Sequence, residues 1–191
     1  MNRRSSIKSA ILLGILGVST LSIYKYRVLN IEVDLKRFYD YQKLIAELAE
    51  CIIPKSDSPG AKEANVDQYI INVLINCTPI KEQHKFLDGL EYLETYTRDM
   101  YDKSFFKCTE KEKLDVLQYF EDRDNYNFSI LNKINAKFLG QSFFNKLKRL
   151  TIEGYFSSNL GATKCLSYDY VPVNYIACKP LGLNQKSWAT R

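Results

Sequence analysis

Val66-Asp67-Gln68-Tyr69-Ile70-Ile71-Asn72-Val73-Leu74-Ile75-Asn76-Cys77 is the stretch that decides the fold. Val66, Tyr69, Ile70, Val73, Leu74 and Cys77 recur three and four residues apart, which gathers them into one apolar stripe on a helix and would scatter them over both faces of a strand. Asn65 precedes the stripe as a plausible N-cap. Working outward, the same period recurs on both sides. Leu35, Phe38, Tyr41, Leu44, Ile45, Leu48 and Ile52 predict a helix that Pro54 stops. Between the two helices lies Lys55-Ser56-Asp57-Ser58-Pro59-Gly60-Ala61, made of turn formers: Asp57 can bond its own backbone, Pro59 fixes φ, and Gly60 permits positive φ.

Downstream, Thr78-Pro79 reads as a cap followed by proline at the first helical position. The helix it starts carries Phe86, Leu87, Leu90, Leu93, Tyr96 and Met100. Thr109-Glu110-Lys111-Glu112 has the form of a capping box and opens a helix with Leu114, Leu117 and Phe120. Asp122 to Ser129 reads as a polar, aromatic loop. Phe143, Phe144, Leu147, Leu150 and Ile152 define a last helix ending between Gly154 and Asn159. From Gly161 the pattern is lost in an irregular, aromatic tail. The chain therefore reads as all-α: one multi-helix domain over 27–191, with 161–191 as a docking tail.

The first 26 residues have a different character. Arg3 and Arg4 precede Ser5-Ser6-Ile7-Lys8, and no charge falls between Ser9 and Tyr24. This arrangement resembles a twin-arginine export signal, used by proteins that fold before crossing a membrane. The weakly apolar run Ala10–Ile23 is shorter than the ~20 residues of a spanning helix. No clear small-x-small cleavage site follows, so a cleaved signal and a retained N-terminal anchor are both open readings.

Charge excludes one class of function. The full chain of 191 residues has a formal net charge of +5, but Arg3, Arg4, Lys8 and Lys25 supply four of those positive charges. The remaining 165 residues hold 23 basic and 22 acidic side chains, a net of +1. A nucleic-acid binder needs more, because its affinity is largely phosphate electrostatics. Cys51, Cys77, Cys108, Cys165 and Cys178 form no CxxC pair, and His84 is the only histidine, in a charged setting that reads as solvated. Zinc sites with paired local ligands are therefore not expected. The chain contains no GxGxxG, GxxxxGK[ST], GxSxG or CxxCH, so no nucleotide loop, nucleophile elbow or attached haem is recognisable. Glu110, Glu112, Glu121, Asp122 and Asp124 read as a solvated surface. No catalytic, cofactor-binding or metal-binding residue is expected. The 14 tyrosines and 10 phenylalanines suit a surface that meets another protein.

Two long blocks carry a family resemblance. Ile52-Ile53-Pro54-Lys55-Ser56-Asp57-Ser58-Pro59-Gly60-Ala61 resembles the IIPxTDTPGA signature of the gluconate 2-dehydrogenase subunit 3 family. Phe143-Phe144-Asn145-Lys146-Leu147-Lys148-Arg149-Leu150-Thr151-Ile152-Glu153-Gly154-Tyr155-Phe156-Ser157-Ser158 is similar to its FFxxLKxLTxxGYFTS block. The tail resembles the family's Y…PGxYxGC ending, with Val173 and Ala177 in place of two glycines. Pro54, Asp57, Pro59, Gly60, Phe144, Leu147, Gly154, Tyr155 and Phe156 are the signature positions. The resemblance implies a non-catalytic, periplasmic small subunit. Its partner would be a glucose-methanol-choline type flavoprotein that binds FAD and oxidises sugars or sugar acids, with haem c in a third, cytochrome c subunit. It further implies that the twin-arginine translocase reads Arg3 and Arg4, that Tyr168, Tyr170, Tyr175 and Trp188 dock on the flavoprotein, and that Cys77 and Cys178 form a disulfide or stay as two thiols. The rival readings are a standalone exported or anchored helical binding protein and, behind it, a redox enzyme using its own cysteines.

Overall fold

The helical periods become helices where apolar stripes can face one another. In the computed structural model, residues 31–124, 141–168, 171, 178, 180 and 182–189 are described. Their order is α1 (Lys36–Asp40), α2 (Gln42–Ile52), α3 (Val66–Cys77), α4 (Ile80–Tyr101), a 3-10 turn (Phe105–Lys107), α5 (Glu110–Asp124), α6 (Phe143–Ser157) and a π turn (Gly161–Cys165). Among the described residues there is no strand, only an isolated parallel bridge between Ser167 and Trp188. No helix among them is long and apolar enough to cross a membrane.

Helix α6 is the axis. It packs against α2, α3, α4 and α5, and its sequence explains why. Phe143, Phe144, Leu147, Leu150, Thr151, Gly154 and Tyr155 are all buried, a broad stripe opposite a solvent face of Asn145, Arg149, Ile152 and Phe156. Around it close Leu44, Ile45 and Leu48 of α2, Ile70 and Leu74 of α3, Phe86 and Leu90 of α4, and Val116 and Phe120 of α5. Each such large apolar side chain removed from water contributes roughly 1.5–3 kcal/mol. Gly154 sets the closest approach. A Cβ there would lie 2.6 Å from the Tyr69 ring, so α3 and α6 touch backbone to ring.

The expected boundaries hold for α3, for the capping box and for the stop before Pro54. In the box, the Thr109 amide donates to Glu112 Oε2 at 2.7 Å and the Glu112 amide to Thr109 Oγ1 at 3.3 Å. Elsewhere long-range or backbone partners displace the expected local ones. The first helix breaks at Tyr41 into α1 and α2. Asn65 makes no side-chain cap: its φ is 52°, and α3 is entered through a backbone turn in which the Val66 amide donates to the Ala61 carbonyl. Thr78 does not start α4. Its hydroxyl donates back to the Val73 carbonyl at 3.0 Å, and Pro79 occupies the cap position before Ile80. The buried Gln83 amide, unremarked in the sequence, donates to the carbonyls of Leu74 and Thr78 and so closes α3 from α4.

Asp122–Asp124 are the last turn of α5, not a loop; the rest of that expected loop, 125–129, lies outside the described residues. Asp124 is not solvated surface either, since its carboxylate accepts the Phe144 amide at 2.9 Å and caps α6 from the end of α5. His84 is not free: its Nε2 bonds the Ile31 carbonyl at 2.8 Å and ties the entering chain to α4. The tail is not irregular from its first residue, because Gly161–Cys165 forms the π turn.

Candidate partner-docking site

The two signature blocks, about 90 residues apart in sequence, meet at one end of the bundle. The loop after α2 is held from three sides. Glu50, in the last turn of α2, accepts the Lys55 amide on Oε1 at 3.1 Å and the Lys62 amide on Oε2 at 2.8 Å, one bond at each end of the loop. Tyr155 of α6 is fully buried, and its hydroxyl donates to the Pro59 carbonyl at 2.6 Å. Burial pushes the Tyr155 phenol up, against a hydrogen bond from Ser58 that acts the other way. Gly60 is buried beside the Glu50 carboxylate, where an added Cβ would sit 2.3 Å from Oε1. Within the loop, the Ala61 amide donates to the Ile53 carbonyl at 3.0 Å and the Ser56 amide to the Ser58 carbonyl at 3.1 Å.

What these bonds hold up is Pro54-Lys55-Ser56-Asp57, a run of four exposed residues. Lys55 pairs with Glu63. The Asp57 carboxylate has no hydrogen-bond or ion-pair partner among the described residues, so the expected bond to its own backbone is not made. Below the loop, Lys62 and Lys113 both pair with Glu47, at 2.5 and 3.2 Å. Burial pushes Glu47 up, but these two ammonium groups outweigh it and hold the carboxyl below the usual glutamate range.

The signature residues therefore divide. Phe144, Leu147, Gly154 and Tyr155 are core. Pro59 and Gly60 form the loop's inner edge. Pro54, Asp57 and the exposed Phe156 face outward. Beyond the π turn the tail doubles back: the Ser167 amide donates to the Ser187 carbonyl and the Ala189 amide to the Ser167 carbonyl, both at 2.8 Å. This clasp leaves Tyr168 and Trp188 exposed near each other. Tyr170 and Tyr175, the other expected docking residues, lie outside the described residues, as do Arg3, Arg4 and Lys8.

In the structure all five cysteines stand as free thiols, and Cys77 and Cys178 are both exposed. Burial pushes the Cys51 and Cys108 thiols up, the opposite of what a redox enzyme needs of its nucleophile. Among the described residues no group of three or more His, Cys, Asp or Glu could hold a metal ion.

One surface feature escaped the sequence reading. Tyr96 of α4 stacks on Tyr119 of α5 with centroids 4.1 Å apart, the Tyr92 and Tyr119 hydroxyls lie 3.1 Å apart, and the Arg123 guanidinium covers the Tyr92 and Phe120 rings. Its signal was available in the four-residue spacings of Tyr92 with Tyr96 and of Tyr119 with Arg123, which place each pair on one helix face.

A family model described as gluconate 2-dehydrogenase subunit 3 matches residues 40–174. No curated protein and no solved structure matches the chain.

Proposed function

Because this chain belongs to the gluconate 2-dehydrogenase subunit 3 family, we propose that it is the non-catalytic small subunit of a flavin-dependent dehydrogenase complex. The observation that carries this reading is the span of the match, residues 40–174, which takes in the propped loop and the α6 axis together. In this reading the large subunit is a glucose-methanol-choline type flavoprotein that binds FAD and oxidises a sugar or sugar acid. Electrons leave through a cytochrome c subunit carrying haem c. This chain supplies the twin-arginine leader with Arg3 and Arg4, and the two subunits cross to the periplasm as a folded pair. It stabilises the flavoprotein and stays at the membrane if the leader is retained.

An affinity pull-down of the tagged full chain from its native cells, with a visible absorption spectrum and a dye-linked sugar oxidation assay on the eluate, tests the proposal. A co-purifying flavoprotein with flavin bands and activity supports it. A colourless, solitary protein from membranes that do contain such a flavoprotein overturns it in favour of an independent exported binding protein.

A further inference from the structure

We propose that the apex of the propped loop, with the Asp57 carboxylate at its centre, is a contact through which the flavoprotein large subunit is held, against a cationic side chain of that partner; this rests on the small-subunit reading above.

A fully buried tyrosine hydroxyl, both oxygens of a glutamate and a glycine with no room for a Cβ are all committed to one connection between two helices. A connection that only had to link α2 to α3 would not need them, because surface turns satisfy their backbone with water. Rigidity has a use when the loop must be presented in one conformation, since ordering it beforehand removes that cost from binding.

The apex is anchored through its backbone, the Lys55 amide on Glu50 and the Ser56 amide on the Ser58 carbonyl. Pro54, Lys55, Ser56 and Asp57 are exposed. Lys55 is neutralised by Glu63, which leaves Asp57 as the apex charge with no partner among the described residues. An exposed carboxylate on a loop held from beneath, beside two serine hydroxyls, Ser56 and Ser58, is complementary to an arginine or lysine that brings its own donors. The body of the chain is close to neutral, at a net +1 beyond the leader, so long-range attraction would not supply this pairing. A local contact would.

The test is co-expression of the tagged full chain with the flavoprotein large subunit. Retained flavin absorbance per tagged chain and the dissociation constant are then measured across a salt series. Asp57→Asn and Asp57→Lys should fold as wild type, with unchanged helical circular dichroism and melting temperature. They should weaken the complex at least tenfold, Asp57→Lys more than Asp57→Asn, with a flatter salt dependence. Glu50→Gln removes a carboxylate acceptor from beneath the loop and leaves the Asp57 carboxylate in place, and should weaken the complex less. If wild type retains flavoprotein and the Asp57 variants retain as much, the docking proposal falls alone. If wild type retains none, it falls together with the subunit reading.

Discussion

At the residue scale, the side chains that decide local structure are mostly those whose partners lie far away. Tyr155 stands 96 positions from Pro59 and yet closes the loop. Its aromatic ring was legible in the sequence as part of an apolar stripe, but the destination of its hydroxyl was not, since no local pattern encodes a contact of that range. Tyr155→Phe keeps the ring and removes the bond. It should cost about 1 kcal/mol, visible as a lower urea midpoint and as faster amide exchange at residues 55–61. Equal exchange in the two proteins would show that Glu50 holds the loop unaided. Gln83 makes the complementary case. Its amide answers the carbonyls of Leu74 and Thr78 in a buried setting. Gln83→Leu leaves those carbonyls without it and should destabilise by about 1–3 kcal/mol, more than the tyrosine change despite adding apolar surface. A denaturant titration of both variants fixes the order.

At the element scale, periodicity read the helices well and their ends poorly. The α3 stripe gave Val66–Cys77 because an amphipathic face is a property of the segment itself. The ends depended on neighbours. Asn65 lost its capping role to a backbone turn, Thr78 turned back onto α3 instead of forward onto α4, and Asp124 capped a helix other than its own. The Thr109–Glu112 box, in which both partners sit three residues apart, and the stop before Pro54 could be read locally. The packing of α3 on α6 gives a direct test. Gly154→Ala puts a methyl group 2.6 Å from the Tyr69 ring, against a side chain rooted in a packed helix. Overpacking of this kind costs about 1–3 kcal/mol, and a smaller companion side chain in Gly154→Ala/Tyr69→Leu should recover part of it. Non-additivity of the two changes in thermal melts is the expected outcome, because the residues touch. The Glu47 node links α2, the loop and α5 electrostatically. Its folded pKa is depressed, so its contribution is complete above the ordinary glutamate range and is lost as pH falls through the depressed folded value. Wild type should therefore melt above Glu47→Gln at pH 7, and the gap should narrow toward pH 3. A gap independent of pH would assign the effect to packing instead of charge.

At the scale of the whole molecule, the helical class was legible because the apolar stripes of successive segments share one helical period, and α6 offers a stripe broad enough for several of them to pack on. The site was legible only as a list. The signature residues could be named, but nothing in the string separated Tyr155, which props the loop, from Asp57, which the loop presents. The same division separates the body from its leader. The family match begins at residue 40, so Arg3 and Arg4 lie outside the span that defines membership, and replacing them should leave the helical body's stability alone. If the chain carries the export signal for a folded pair, Arg3→Lys/Arg4→Lys in otherwise native cells should leave both this chain and the flavoprotein in the cytoplasm. There they should still form a complex, with flavin bound and dye-linked activity confined to the soluble cytoplasmic fraction. Fractionation followed by the same pull-down measures both halves of that expectation. A flavoprotein that reaches the periplasm while the variant chain stays behind would show that the partner travels on a signal of its own, and would reduce the role of this chain to holding the partner after export.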